Sequence, residues 1–457
     1  MRGRSAEDGT SVGGSGQVPV VKIGRGSLVH GLAGLSLWER MAAVLVIVWA
    51  GVLVYRAMTM VPALDTGLAY SGGLAAWATG HPERLLTWIS SPFLAMLMAL
   101  ITRIMSSGQA ATAVTALNSL LSVITIAAVW SWLRPRVSRV FWWLSLGLGA
   151  AYAPLASTIF WRQFNLVSLV LVTSGFLLAM RRPSTSGFLV ALSLAIKPVG
   201  ILVPLAMLWK RDLRRAGAWS LGWGLLMLGI SQGFLAWRSG SLSTLNPFPA
   251  LANFEHKSLP NTTGWVCAPE NFSPQSTICR IVGDGSWNLE RDAVLVGAVA
   301  LIAICAVSLW RTRGTNVEVL AFACALSPML SPIAWSHYQL FLAPLFLLLA
   351  YRLHRQGATV AEWTLLAAAL FLAELTWRPY GMLNNILPNL LRGTPAYALY
   401  PHTIILLGYA EGAQYVLIVA ALMWANRNAY GLRIRGFTTP DVSSADVRAE
   451  RGRSALR

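Results

Sequence analysis

Charge is what this chain has least of: Asp, Glu, Lys and Arg make up 12% of its 457 residues, against roughly 25% in soluble domains. With 55% hydrophobic residues and a mean hydropathy of +0.57, that shortage excludes an ordinary water-soluble domain. Carboxylates are the scarcer sign, 18 against 36 Lys and Arg, and no carboxylate-rich string is present to hold a nucleotide–metal complex. Histidine (6) and cysteine (4) are also few and lack the spacing of a metal site, so no metal and no cofactor is expected. Walker A, a Gly-rich dinucleotide fingerprint, G-x-S-x-G and H-E-x-x-H are all missing, which removes the common soluble-enzyme chemistries. The net charge of +18 does not imply a nucleic-acid partner, because the basic residues form short clusters between apolar runs, not a stripe.

What is present is length and apolarity. Crossing about 30 Å at 1.5 Å per residue takes roughly 20 residues. Apolar runs near that length, bounded by charge, lie at 41–61, 109–132, 140–159, 165–181, 185–196, 199–209, 214–236, 292–310, 317–333, 338–353, 359–377 and 408–426. The fold expected is therefore all-α, a polytopic membrane bundle of about 12 helices. Two of these runs, 185–196 and 199–209, are too short to span alone, and SLAIKPVGIL sets a Lys-Pro pair between them. Proline breaks the helical ladder, so they read as half-depth helices meeting at Lys197 and Pro198, and a non-helical turn at that depth must line a cavity. Many of the 20 tryptophans cluster near the ends of apolar runs, as befits membrane interfaces.

Orientation follows from the basic clusters. With the N-terminal tail cytoplasmic, Arg134/Arg136/Arg139, Arg181/Arg182, Lys210/Arg211/Arg214/Arg215, Arg311/Arg313, Arg352/Arg355 and Arg427/Arg433/Arg435 all fall inside. Residues 1–40 and 431–457 are polar tails on the cytoplasmic side of a 41–430 membrane domain of the cell membrane; no cleavable signal precedes residue 41. The loops 62–108, 237–291 and 378–407 are left outside, the first carrying an interfacial or re-entrant helix in SPFLAMLMALITRIM, unless that segment spans. Cys305 and Cys324 fall inside spans as small buried residues. Cys267 and Cys279 share an external loop, and in an oxidising compartment they either pair, closing a loop worth about 3 kcal/mol, or stay as two thiols.

In this topology a set of polar residues gathers at the outer end. Asp65 follows the first span, Arg162, Gln163 and Asn165 open the fourth, Lys197 sits at the half-helix turn and His337 begins the tenth. Ionisable groups near hydrocarbon depth are costly, so such a gathering suggests a site. Asp65 is either a general base or the N-cap of the helix beginning TGLAYSGGLAAWA. At a helix break the Lys197 amine suits a phosphate; the alternative is a snorkelling lysine, for which it lies too far along its run. Arg162 and Arg378 either share that phosphate or anchor helix ends, and His337 is either a solvated histidine or a donor to phosphate or acceptor. Glu374 and Glu411 read as helix-end residues. In the loop NPFPALANFEHKSLPNTTGW, His256, Lys257, Asn261 and Trp265, beside Glu255, suit a sugar ring by stacking and hydrogen bonding.

The order LDTGLAY, RQFNLVSLVLV, GFLVALSLAIKPVGILVPLAMLWKR and LSPIAWSHYQLFLAPLF resembles glycosyltransferase family 87, of the GT-C superfamily, over about residues 41–355. That family includes polyprenol-phosphate-mannose-dependent α-mannosyltransferases and arabinofuranosyltransferases. The resemblance implies an outward-facing, inverting, metal-free enzyme moving a sugar from a polyprenyl-phosphate carrier to a lipid or glycan acceptor. It assigns Asp65 as the catalytic carboxylate, Lys197 and His337 to donor phosphate or acceptor, and Gln163 and Asn165 to the pocket. The chain departs from the pattern where Tyr338, not a second histidine, follows His337, and where the first loop offers SSPF in place of paired prolines. A transporter or flippase is the rival reading; such folds usually carry an internal repeat, and none is evident.

Overall fold

The structure, a computed structural model, describes residues 64–85, 91–133, 152–245, 314–330, 336–356 and 359–375, with scattered positions at 37–59, 138–143 and 296–310. Among the described residues every regular element is helical and none is a strand. The helices are α1 (Leu64–Thr79), α2 (Pro92–Ile101), α3 (Ser107–Leu133), α4 (Ala153–Phe160), α5 (Asn165–Leu178), α6 (Pro183–Ile196), α7 (Leu202–Trp209), α8 (Arg214–Ser239), α9 (Asn316–Leu326), α10 (Ala343–Gln356) and α11 (Val360–Leu375). Short 3-10 turns at Pro198–Gly200, Ser327–Leu330 and Ser336–Leu342 interrupt them where function was expected. The expected runs at 109–132, 165–181, 214–236 and 359–377 return as helices within a few residues of their predicted ends. The runs at 292–310 and 41–61 are helical at their described positions, and the run at 408–426 lies outside the described residues.

Local chemistry sets the boundaries. Ser106 and Gln109 form a reciprocal capping pair at the head of α3: the Ser106 N–H donates to Gln109 Oε1 (2.8 Å) and the Gln109 N–H to Ser106 Oγ (3.3 Å). Thr315 and Glu318 do the same for α9. This helix ends at Leu326, two residues before Pro328, whose missing N–H and ring preclude its continuation. α2 starts on the Ser91 cap with Pro92 in the first turn, where proline costs nothing.

The Lys-Pro break is the main architectural event. Here α6 and the chain from Pro198 to Trp209 are bent by 119°. Both far ends of this pair return to the first turns of α8: Gly187 of α6 lies against Trp219 and Ser220, and Leu208 of α7 lies against Gly217. The pair is thus a helical hairpin with Lys197 near its tip, about 21 Å from Pro183 along α6. Two short helices meeting at a break at Lys197 and Pro198 is the local arrangement the sequence implied.

Small residues make the hairpin's seam. Ser186, Gly187, Val190 and Ala191 of α6 are buried, as are Ala216, Gly217 and Ser220 of α8. A Cβ at Gly187 would stand 2.5 Å from Trp219 Cβ and 2.6 Å from the Ser220 nitrogen, so the two backbones approach as only glycine permits. Gly187→Val is therefore expected to force α6 from α8 and to lower stability by about 1–3 kcal/mol, readable as a fall in thermal midpoint of the purified protein. An unchanged midpoint would contradict the seam.

One end of the bundle is basic. Lys210 Nζ donates to the Gly314 carbonyl (2.6 Å), the Ser138 N–H donates to His354 Nε2 (3.2 Å), and Arg352 pairs with the buried Glu318. Those contacts bring the end of α7, the chain after α3, the start of α9 and the end of α10 together. Large apolar side chains are exposed on the outside of the described helices, including Leu120 and Val123 on α3 and Trp219, Leu225, Leu226 and Ile230 on α8. Apolar surface on this scale marks a lipid or protein contact. Within the described residues Ser107–Val129 is the one helix long and apolar enough to cross a bilayer alone, and the α6–α7 pair meets the same test together.

The expected outer loop 62–108 holds both of the helices read there. Beside α2, which occupies the expected interfacial segment, it holds the 16-residue α1. Its sequence is rich in Gly and Ala, and its helicity is explained by packing: a Cβ at Gly73 would lie 2.5 Å from the Met98 carbonyl carbon of α2. The two remaining outer loops lie outside the described residues apart from the first residues of 237–291. Cys305 and Cys324 are buried and unpaired, as expected of them; Cys267 and Cys279 lie outside the described residues.

Candidate functional site

Four separate stretches of chain meet at the tip of the α6–α7 hairpin. Lys197 has an extended backbone (φ −148°, ψ 114°), which ends α6, and its N–H still donates to the Ser193 carbonyl at 2.8 Å. Its ammonium group donates to Gln163 Oε1 and stands 4.5 Å from the centroid of the Tyr338 ring. An amide oxygen and an aromatic face are both favourable neighbours for a charged amine.

The α4–α5 corner that carries Gln163 is held from two sides. The Thr66 hydroxyl of α1 donates to the Arg162 carbonyl (2.8 Å), and Asn118 Nδ2 of α3 donates to the Gln163 carbonyl (2.7 Å). Arg162 itself has φ of +53°, a left-handed conformation unusual for a side chain of this size, and these two bonds stabilise it. Arg162 is buried, and desolvation lowers the pKa of its guanidinium from the usual arginine range. Next along, Asn165 is fully buried at the first position of α5. Among the described residues neither amide atom of Asn165 has a hydrogen-bond partner, nor does Asn118 Oδ1. Buried carboxamide atoms left this way cost about 1–3 kcal/mol each, so three within two residues of Gln163 or on its direct partner mark a place built for another polar group.

The hairpin tip is fixed from below and beside. Ser168 and Ser193 bond hydroxyl to hydroxyl at 2.5 Å, about one turn below Lys197, while Ser91 donates to the Ala195 carbonyl. The first N–H of α7, on Leu202, is satisfied by Ser327 Oγ at 3.1 Å. The Tyr152 hydroxyl donates to the Gln339 carbonyl (2.8 Å) and holds the Ser336–Leu342 turn against α4.

Of the residues singled out from sequence, Arg162, Gln163, Asn165 and Lys197 lie at this corner. Asp65 is the second residue of α1, adjacent to the Thr66 that grips the Arg162 carbonyl. It therefore sits inside the first helical turn, not ahead of it as a cap would. His337 lies in the Ser336–Leu342 turn, adjacent to the Tyr338 that receives the Lys197 amine; that turn precedes α10, so His337 does not open a regular helix. Glu374 falls in the last turn of α11. Arg378, His256, Lys257, Asn261, Trp265, Glu255 and Glu411 lie outside the described residues. No group of three or more His, Cys, Asp or Glu able to hold a metal occurs among the described residues.

Three participants were missed from sequence: Thr66, Asn118 and Tyr338 as the seat of the amine. Asn118 offered a signal, being a carboxamide in the middle of the apolar run 109–132, where polar groups are costly. Tyr338 was noted only as a departure from a family pattern.

The class this defines, among the described residues, is an all-helical protein with an apolar exterior that keeps an amine and buried carboxamides at a broken helix. A family model, glycosyltransferase family 87, matches residues 88–332, more than half of the chain and including the corner, the hairpin and the Ser-Pro segment. The chain belongs to glycosyltransferase family 87 and is a glycosyltransferase. No curated protein and no solved structure matches it.

Proposed function

We propose that this glycosyltransferase works within a membrane, taking a mannose- or arabinose-like sugar from a polyprenyl-phosphate carrier and passing it to a hydroxyl of a lipid or glycan acceptor on the extracytoplasmic face. The observation that carries this reading is the Lys197 amine, held by Gln163 and the Tyr338 ring at the tip of a hairpin about 21 Å from the basic end of the bundle. That depth suits a phosphate attached to a lipid tail better than one on a soluble nucleotide. The apolar exterior of α3 and α8 supports a bilayer as the surrounding medium, and the shared basic end supports a cytoplasmic face opposite the site, with both tails on that side.

In this mechanism Lys197 stabilises the negative charge that develops on the carrier phosphate as the glycosidic C–O bond breaks. The sugar passes through an oxocarbenium-like state while Asp65 takes the proton of the incoming hydroxyl, inverting the anomeric centre. Gln163 and Asn165 bond the sugar hydroxyls; His337 contacts phosphate or acceptor, and Arg162 and Arg378 add positive potential. Outer-loop residues His256, Lys257, Asn261 and Trp265 complete the pocket, with no metal or other cofactor in the chemistry.

The test is a donor comparison with the purified full-length chain in the presence of a chelator. Labelled polyprenyl-phosphate mannose and arabinose are each offered beside the nucleotide sugars. Release of free polyprenyl phosphate with label moving to a lipid acceptor is the expected result. Turnover with a nucleotide sugar only, or carrier movement across the membrane without release, would overturn it.

A further inference from the structure

At the end of α8 far from the basic cluster, two arginines converge on one tryptophan. Arg103, just past α2, places its guanidinium carbon 5.1 Å from the centroid of the Trp77 ring of α1; that of Arg238, in the last turn of α8, is 4.6 Å from the same ring. Arg238 also stacks on Trp237 (5.2 Å) and donates through Nε to the Trp77 carbonyl. The two cations therefore lie within about 10 Å of each other, close enough to repel. No carboxylate lies within ion-pair distance of either among the described residues, and the Arg103 side chain makes no hydrogen bond there.

Helix ends account for part of this. The C-termini of α2 and α8 each favour a nearby cation. They do not explain why both cations share one indole, and the exposed fork of Arg103 is open to an acceptor. The surroundings name the acceptor's chemistry. Ile104 and Met105 follow Arg103 and are exposed, Trp237 is 67% exposed, and Leu242 just beyond α8 is 80% exposed. Fixed guanidinium groups beside an outward-facing apolar border match an amphiphile whose headgroup is an anion and whose body is hydrocarbon.

We propose that Arg103, Arg238, Trp77 and Trp237 form a second anion site, separate from Lys197, that holds the phosphate of an anionic membrane lipid. The proposal rests on the membrane reading but on no part of the transfer chemistry. Arg238 gives two Nη groups to the phosphate while its Nε stays on Trp77; Arg103 closes from the α2 side.

Native mass spectrometry of the full chain in detergent tests this, with dioleoyl phosphatidylglycerol, dioleoyl phosphatidylcholine or inorganic phosphate added. The wild-type chain is expected to retain phosphatidylglycerol in preference to phosphatidylcholine, and Arg103→Gln to hold it about tenfold less well. Arg103→Gln breaks no hydrogen bond among the described residues, so it keeps the assay informative if Arg238→Gln, which frees the Trp77 carbonyl, fails to fold. Lys197→Met is expected to keep phosphatidylglycerol binding, and Arg103→Gln to keep sugar transfer in lipid-free detergent, so failure of the transfer mechanism and failure of this site give different results. Equal phosphatidylglycerol retention by wild type and Arg103→Gln overturns the proposal, as does displacement of the lipid by inorganic phosphate alone.

Discussion

Asp65→Asn is expected to lower sugar transfer by about 10²–10⁴-fold while leaving the protein folded and able to bind its donor. The reason is local. Asp65 occupies the second position of α1, next to the Thr66 that fixes the Arg162 carbonyl, so the carboxylate is carried on an element tied at 2.8 Å to the corner bearing Gln163. Asparagine matches its shape and can still bond a sugar or a free N–H, yet it cannot accept a proton. A role confined to the helix start predicts transfer kept and stability little changed, since asparagine serves a helix start about as well as aspartate. Turnover and thermal midpoint measured on one preparation separate the two.

Lys197→Met carries the second large effect, a loss of about 10²–10³-fold in transfer together with weaker donor binding. Methionine has similar length and apolar volume, so the hairpin tip still packs while the charge is gone. Lys197→Arg is not expected to restore wild-type rate. The planar guanidinium is wider than an ammonium, and the amine here is confined between Gln163 Oε1 and a ring 4.5 Å away. The two variants differ in which step fails. Asp65→Asn retains donor binding, whereas Lys197→Met loses it, and a binding measurement with labelled polyprenyl phosphate reads this directly.

The hairpin could be read from sequence because its cause is covalent. Proline lacks an N–H and lysine is costly in an apolar run, so Lys197-Pro198 had to be a break wherever the rest of the chain lay. Pro328 acted likewise at the end of α9. The short-range caps Ser106/Gln109 and Thr315/Glu318 are equally local. In α1, by contrast, Gly67, Gly72 and Gly73 lower helical propensity, and only contact with Met98 shows why Gly73 belongs there.

The corner geometry was not legible for the same kind of reason. Thr66 reaches Arg162 across 96 residues, and Asn118 reaches Gln163 across 45. Nor does any spacing rule set a tyrosine ring beside an amine from another helix. Sequence indicated which residue types belonged at a site; long-range packing decided which of them meet.

The central claim is that the Lys197 amine holds the carrier phosphate at the hairpin tip. Its most direct test is an experimental density map of the full-length protein in a lipid nanodisc with added polyprenyl phosphate. The account predicts the phosphate oxygens within about 3 Å of Lys197 Nζ, with the lipid tail leaving across the apolar exterior. A phosphate bound elsewhere, with the Lys197 amine still on Gln163 and the Tyr338 ring, would contradict it.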